Sequence, residues 1–371
     1  MKSRVACLLA IVQSVLAATY YVESAPVAPF SCTVTRPCRL QDLPSTYTTA
    51  DSVIFVPATT GTSSTFASGS KSFNKPSVTL SAGLTFSAFS ITVASANSLT
   101  CTGTVSITSG STVATANVAT VSSNGCNVDN SQFNVQAGTT VSFRNAAVTG
   151  MSSTRRIQLQ GTSITVDTVT FTSGSTTQPA LVIVTGNADS TVTLNAVDMN
   201  GITTSSGNSL IQVLSTNGKA LKSSGAQYVS FTNCVSGAGL LELRVGAGGA
   251  SAFSSDFGVV ALSASGSSAS QGVYYVNSLN SNSALAMSIE QTSSTGTNFN
   301  SGNVITLSAS SGSINVDGFS TGANSFCSGS NEAYLVGCAG NSNIRLKGDT
   351  DGTTATNGCG TLTQINMGSS C

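Results

Sequence analysis

Short runs of alternating apolar and polar residues recur along the chain. Gly, Ser, Asn and Thr interrupt each run, and the apolar residues do not recur at the spacing of an amphipathic helix. Because successive side chains on a strand point to opposite faces, the pattern predicts many short strands with one buried face each. The clearest runs are Val53–Val56, Val78–Leu80, Ile164–Val166, Val192–Leu194, Val229–Phe231, Val304–Leu307 and Ile314–Val316.

A longer unit appears within this pattern. Ile164–Phe171 matches Val192–Met199, with the form apolar-x-apolar-Asp/Asn-x-apolar. We interpret the unit as two short strands joined by a corner, where a polar residue that tolerates left-handed backbone, such as Asp167 or Asp317, turns the chain. The other copies of the unit are Ile314–Phe319 and two variants with Asn one place later, Val141–Val148 and Val229–Val235.

The spacing of these units indicates how the strands are arranged. Units begin at residues 141, 164 and 192, and steps of this size suit one turn of a parallel β-solenoid, in which stacked turns share one core. The alternative is two or three β-sandwiches, which would need linkers, and the chain has no Pro-rich or charged linker. We therefore predict an all-β fold with one solenoid over residues 51–325. Residues 19–50 and the Cys-containing residues 326–371 are expected to cap its ends.

The segment Leu40–Pro57 resembles the N-terminal segment that leads into the β-helix of pectin-lyase-like proteins. Ala50-Asp51 stands where that family has Gly-Asp, and Pro44 breaks any long capping helix. The resemblance implies a single-stranded, right-handed parallel β-helix. Enzymes of that family cleave acidic polysaccharides at clustered carboxylates. The resemblance here is specific to the architecture and leaves the activity open.

The N-terminus resembles a secretory signal. Lys2 and Arg4 precede an apolar run, and small residues follow at Ala17-Ala18, which predicts a signal peptide over residues 1–18. No later stretch is long and apolar enough to span a bilayer. We expect the mature chain to be secreted, at a cell surface or in a wall.

Nine cysteines follow the predicted signal peptide, and no CxxC pair or His accompanies them. In a secreted chain they are best interpreted as disulfides. Local pairing leaves Cys234 alone, either as a buried apolar residue or as an intermolecular link. The pairs expected are Cys32–Cys38, Cys101–Cys126, Cys327–Cys338 and Cys359–Cys371.

Charge is scarce: the chain has 14 Lys and Arg, 14 Asp and Glu, and neither His nor Trp. The absence of His excludes catalysis that depends on imidazole. The zero net charge, with no basic block, argues against nucleic acid or anionic lipid as a partner. We assign no catalytic, cofactor-binding or metal-binding residue and do not expect an enzyme.

Several charged residues are nevertheless candidates for a site. Glu242 and Arg244 lie two apart on a predicted strand and are expected to pair in solvent. Arg155-Arg156 is expected to be an exposed pair in a loop, and Arg345 and Lys347 have no carboxylate partner motif. Asp349 and Asp351 form either a calcium site or, more simply, a turn.

The composition of the surface decides among the remaining functions. Outward positions are mostly Ser, Thr, Asn and Gly, and no Asn stands in an Asn-x-Ser/Thr glycosylation site. We therefore expect a structural or adhesive protein that associates with itself or with coat components. The alternative is a polysaccharide-binding, or less plausibly polysaccharide-cleaving, protein, with one of Tyr274 and Tyr275 facing outward. Ice binding by rows of Thr is disfavoured because Thr-x-Thr does not recur at the spacing of the turns.

Overall fold

A computed structural model describes residues 17–24, 31–58, 63–216, 218–224, 227–247, 253–259 and 261–278, and after residue 278 only the strands bounded below. One 3-10 helix covers Leu40–Asp42. The first strands are β1 (Thr19–Val22), β2 (Ser52–Phe55), β3 (Ser64–Asn74), β4 (Ser77–Leu80), β5 (Leu84–Ala94), β6 (Ser98–Thr108), β7 (Thr112–Ala116), β8 (Val118–Asp129), β9 (Gln132–Ser153), β10 (Ile157–Gly161), β11 (Ser163–Thr176), β12 (Leu181–Thr185) and β13 (Ser190–Thr204). The later strands are β14 (Ile211–Thr216), β15 (Leu221–Ser223), β16 (Tyr228–Thr232), β17 (Val235–Ser236), β18 (Leu241–Ala247), β19 (Phe253–Val259), β20 (Ala261–Ser265), β21 (Ser268–Ala269), β22 (Tyr274–Ser278), β23 (Ser283–Ile289), β24 (Thr292–Thr295), β25 (Asn298–Phe299), β26 (Asn303–Ala309), β27 (Ser313–Phe319), β28 (Ser325–Phe326), β29 (Ala333–Gly340), β30 (Asn343–Lys347), β31 (Thr354–Ala355) and β32 (Leu362–Asn366).

The strands pair in parallel, each with the equivalent strand one turn earlier and one turn later. The turns differ in length: the step from Val121 to its partner Val141 is much shorter than the step from Lys222 to its partner Asp256. The prediction of an all-β parallel solenoid is therefore confirmed. One column of paired residues contains Val53, Val78, Leu99, Val121, Val141, Ile164 and Val192.

Each turn contributes to three ladders of strands. The first ladder contains β1, β2, β4 and the N-terminal parts of β6, β8, β11 and β13, together with the middle of β9. The second ladder contains the later parts of β6, β8, β9, β11 and β13, followed by β16 and β20. The third ladder contains β7, the start of β9, β10, β12, β14, β18 and β22.

The repeated unit predicted from sequence has the correct register, and Asn145 of the variant Val141–Val148 is left-handed as expected, but the corner residue is wrong in the two copies that match most closely. Ile164 pairs with Val192, as the match requires. The left-handed residue is Thr168 in the first unit and Ala196 in the second, one place after the expected Asp167 and Asn195. The Asp167 side chain instead lies on the outward side, where its Oδ1 accepts hydrogen bonds from Asn195 Nδ2 at 2.8 Å and from Thr168 Oγ1 at 3.1 Å.

A second correction concerns the unit at 229–235. Val229 pairs with Val197, so this unit continues the second ladder and not the first. Its left-handed Asn233 lies at the next corner of the turn, near Gly201, which has φ +66°. The two corners resemble each other in sequence because both need a residue that tolerates positive φ.

The apolar side chains of all three ladders form one continuous core. Near the N-terminal end, the ring of Phe66 stacks on Phe86 with centroids 5.3 Å apart and meets Phe55 edge to face at 5.2 Å. Burying such a side chain stabilises the fold by roughly 1.5–3 kcal/mol. The alternation of apolar and polar residues therefore determines which side of every strand faces inward.

The N-terminal end of the ladder is covered by the Cys32–Cys38 disulfide loop. The backbone N–H of Tyr21 donates to the carbonyl of Cys32, and the N–H of Cys38 donates back to the carbonyl of Tyr21, both at 2.9 Å. The loop thus occupies the edge of β1 that would otherwise be open to another chain. Parallel pairing runs from β1 to β32, so strands lie inside both segments expected to be caps, 19–50 and 326–371.

Asp51 ties this end of the fold together. Its buried carboxylate accepts hydrogen bonds from the backbone N–H groups of Ala18, at 2.9 Å, and Thr48, at 2.6 Å. These hydrogen bonds, that from Thr48 first, lower the pKa of Asp51. The residue that aligned with the β-helix family therefore has a structural role here.

The Cys101–Cys126 disulfide joins neighbouring turns at one corner, as the sequence predicted. Both cysteines are buried, and their Cα atoms are 6.1 Å apart. Gly103 and Gly125 stack at the same corner with positive φ, and a Cβ on Gly125 would lie 2.5 Å from the Gly103 carbonyl oxygen. The predicted pairs Cys327–Cys338 and Cys359–Cys371 lie outside the described residues.

Candidate functional site

The outward side of the third ladder carries a concentration of side-chain amides. Asn134 on β9 pairs with Gln158 on β10, and Gln136 pairs with Gln160 beside them. Such alignment lets neighbouring amides donate and accept along the solenoid axis. Six of the twelve glutamines of the chain lie in this region: Gln132, Gln136, Gln158, Gln160, Gln178 and Gln212.

A cleft of about 320 Å³ opens on this side, and we call it the amide cleft. Three successive turns supply its walls, because β9, the residues before β10 and the residues before β12 meet there. Arg156 Nη1 donates to Gln178 Oε1 at 3.4 Å, and Gln132 Nε2 donates to the carbonyl of Thr154 at 3.2 Å. The cleft is lined by Gln132, Asn134, Thr154, Arg156 and Gln178.

Two groups in the amide cleft lack the partner that would satisfy them. The side-chain oxygen of Asn134 is buried and accepts no hydrogen bond, and a buried acceptor in that state costs about 1–3 kcal/mol. Among the described residues, no carboxylate lies within 4.0 Å of the Arg156 guanidinium. The cleft therefore offers one cation and one acceptor, which suit a ligand with an acceptor or anionic group next to a hydroxyl or amide donor.

The expected pair of Glu242 and Arg244 forms, but Glu242 does not lie in solvent. Arg244 Nε lies 2.9 Å from Glu242 Oε1, and Gln212 Nε2 donates to Glu242 Oε2 at 2.9 Å. The Glu242 side chain is 1% exposed and that of Arg244 is 31% exposed. A buried carboxylate that is held by two partners is best explained as a structural group, because removing Arg244 would leave a buried charge uncompensated and removing Gln212 would leave one of its oxygens without a donor.

The other predicted candidates lie in separate places. Arg155 and Arg156 are half-buried and not exposed, because the chain between β9 and β10 folds onto the ladder. Tyr274 is fully buried, and Tyr275 pairs in register with Glu242 on the outward side. Asp317 lies on β27 opposite Lys347 on β30. Asp349 and Asp351 lie outside the described residues.

The sequence left two interpretations of Cys234 open, and the structure shows a buried cysteine and not an intermolecular link. It is fully buried and unpaired, and its thiol donates to the carbonyls of Met199 and Thr232, each at 3.4 Å. Burial raises the pKa of the Cys234 thiol. A thiol in this position does not reach a second molecule without local unfolding.

No family model, no curated protein and no solved structure matches the chain. Within the described residues, no helix is long and apolar enough to cross a membrane, and no three metal-ligating side chains cluster. The sequence reasoning missed Gln132, Asn134, Thr154 and Gln178. Their one signal was the crowding of Gln between residues 132 and 212 in a chain whose outward residues are mostly Ser and Thr.

Proposed function

We propose that the chain is a secreted, non-enzymatic structural or adhesive protein of an extracellular coat, wall or matrix. The observation that carries the proposal is the parallel ladder from β1 to β32, together with the small number of charges in the chain and the hydroxyls and amides on the outward side of its described part. Such sides can lie close to neighbouring molecules without burying unpaired charge. Disulfides at Cys32–Cys38 and Cys101–Cys126 suit an oxidising compartment outside the cell.

Electron microscopy and sedimentation velocity of the oxidised mature protein, over a concentration series, test this proposal. We expect rods that associate laterally or end to end as the concentration rises. Reduced protein that is still folded provides a comparison, because reduction opens the Cys32–Cys38 loop that covers the edge of β1. Single rods at every concentration, with no retention on extracellular matrix preparations, would argue against a structural role.

We propose polysaccharide binding at the amide cleft as a second candidate function. It is supported by the Arg156 guanidinium, which an acidic sugar can bind, and by the unpartnered Asn134 oxygen in the same cleft, to which a sugar hydroxyl can donate once the Asn134 side chain turns towards the cleft. The lack of Trp in the chain disfavours an aromatic sugar platform, so hydrogen bonds would have to supply the affinity.

The matched variants for this second candidate are Arg156→Gln and Arg155→Gln. Only Arg156 lines the amide cleft, although the two residues are adjacent and both are half-buried. Calorimetric titration with oligogalacturonate is expected to show binding that Arg156→Gln abolishes and Arg155→Gln preserves. Equal loss in both variants would mean a diffuse charge effect, and no binding by the parent protein would exclude this acidic ligand.

A further inference from the structure

The outward side of the first ladder carries two straight columns of hydroxyl groups. Every turn from residue 77 to residue 193 contributes the sequence Ser/Thr-x-Ser/Thr, and the middle residue is buried. The first column contains Ser77, Ser98, Thr120, Thr140, Ser163 and Thr191. The second column contains Thr79, Thr100, Ser122, Ser142, Thr165 and Thr193.

We call these twelve residues the hydroxyl face. Thr-x-Thr itself occurs at only one of these turns, residues 191–193, as expected, but the broader pattern Ser/Thr-x-Ser/Thr recurs at every one of them. The recurrence is hidden in the sequence because the turns are unequal: the step from Thr120 to Thr140 is shorter than the step from Ser163 to Thr191. Serine also replaces threonine at several of the positions, so a search for Thr-x-Thr does not find the columns.

The hydroxyl face is a regular two-dimensional array. Paired strands stand about 4.8 Å apart, and residues i and i+2 on one strand are about 6.6 Å apart. The buried residue between each pair, such as Val141 or Ile164, anchors the strand to the core. The stiff χ1 of threonine further restricts its hydroxyl. The twelve hydroxyls are therefore held near fixed lattice positions before anything binds.

The hydroxyls of this face are largely free of protein partners. No side chain of the first column hydrogen-bonds to another described residue. In the second column, Ser142 donates to Ser122 across 3.5 Å, and Thr193 donates to the carbonyl of Ser224 at 2.8 Å. No member of the face is charged or aromatic. The nearest charges in register are Lys222, which pairs with Thr191 at the last turn of the first column, and Arg144 and Asp167, one column towards the corner.

An ordered array of donors and acceptors matches a partner whose oxygen atoms are themselves ordered. Each hydroxyl both donates and accepts hydrogen bonds, as each water molecule in ice does. A dissolved ligand would gain nothing from regularity over six turns. A sugar surface would be expected to meet an aromatic platform, and the twelve positions contain none.

We propose that the hydroxyl face binds ice. Each hydroxyl contributes one weak hydrogen bond, but the rigid ladder presents twelve together, so the molecule leaves the surface only when all of them release. Little conformational entropy is lost on binding, because the backbone is already fixed by the parallel ladder. This activity goes beyond the proposed structural role and does not depend on self-association.

The test measures thermal hysteresis and inhibition of ice recrystallisation by the full-length mature protein, at a concentration where sedimentation shows monomers. We expect shaped ice crystals and a freezing point below the melting point. Thr140→Lys places a long charged side chain at the centre of the face and is expected to abolish both effects. Thr172→Lys is the matched control, because Thr172 is an exposed threonine on the second ladder, away from the face.

Circular dichroism and the thermal midpoint verify that each variant is folded. Absence of hysteresis in the folded parent protein would overturn the proposal, as would equal activity in the two variants. If Thr140→Lys instead abolishes self-association and the parent protein does not act on ice, the hydroxyl face is an interface between copies. That result would support the structural role while overturning ice binding, so the two proposals fail separately.

Discussion

The Cys101–Cys126 disulfide is expected to stabilise the turns it joins more than the Cys32–Cys38 disulfide stabilises the N-terminal end. The bridged residues are 25 apart in the first case and 6 apart in the second. A cross-link restricts the unfolded chain, and the loss of chain entropy grows with the logarithm of loop length. This relation gives about 3.5 kcal/mol for the longer loop and about 2.2 kcal/mol for the shorter one.

Cys101→Ala/Cys126→Ala is the perturbation, and native-state hydrogen exchange is the assay. A solenoid is stabilised by contacts between neighbouring turns, so the effect should be local. Amides of β6 and β8 should exchange faster by a factor of about 400, the equivalent of about 3.5 kcal/mol. Amides of β14 and β18, several turns away, should change little.

Two controls separate the cross-link from the loss of buried sulfur. Cys234→Ala removes a buried, unpaired thiol and is expected to produce only a small change near β16. Cys32→Ala/Cys38→Ala is expected to accelerate exchange in β1 by a smaller factor, about 40. If the Cys101→Ala/Cys126→Ala variant accelerates exchange in β6 no more than Cys234→Ala does in β16, the reasoning from loop length is refuted.

Three further predictions follow from single residues. Asp51→Asn should destabilise the protein by about 1–3 kcal/mol at neutral pH, since a charged acceptor is lost. Folding lowers the pKa of Asp51, so its contribution to stability is present above the pKa of the unfolded state and is lost as pH falls through the pKa of the folded state. The melting temperatures of parent and variant should therefore converge in acid, and a difference that stays constant with pH would contradict this. Gly125→Ala should lower the thermal midpoint far more than Gly138→Ala, because only Gly125 combines φ +90° with a carbonyl 2.5 Å from the new Cβ. Cys234 should resist alkylation at pH 8 until denaturant is added, and rapid labelling of the folded chain would contradict its burial.

The solenoid was predictable because its strongest signal is local. Alternation within Ile164–Val166 and Val192–Leu194 fixes the buried side of each strand, and two matching units fix one step of the ladder. The Cys101–Cys126 spacing equals about one turn, so the disulfide was predictable as well. The corner residue was misplaced because either of two successive residues can adopt left-handed backbone there.

The two surfaces were not predictable because they are made by stacking. The amide cleft brings Asn134 beside Arg156 and Gln178, which lie in three different turns. The hydroxyl face emerges only when turns of unequal length are aligned, as with Thr120, Thr140 and Ser163. Knowledge of the register is needed for both, and variable turn lengths conceal the register in the sequence.

The register itself can be measured by cysteine cross-linking in the first ladder. Ser163→Cys/Thr191→Cys places two outward thiols at paired positions, where the Cα separation suits a disulfide. Ser163→Cys/Thr193→Cys places the second thiol two residues further along the strand, beyond easy reach. The account predicts rapid oxidation to an intramolecular disulfide in the first variant alone. Equal cross-linking in both variants, or cross-linking only in the second, would contradict the parallel ladder on which every surface described above depends.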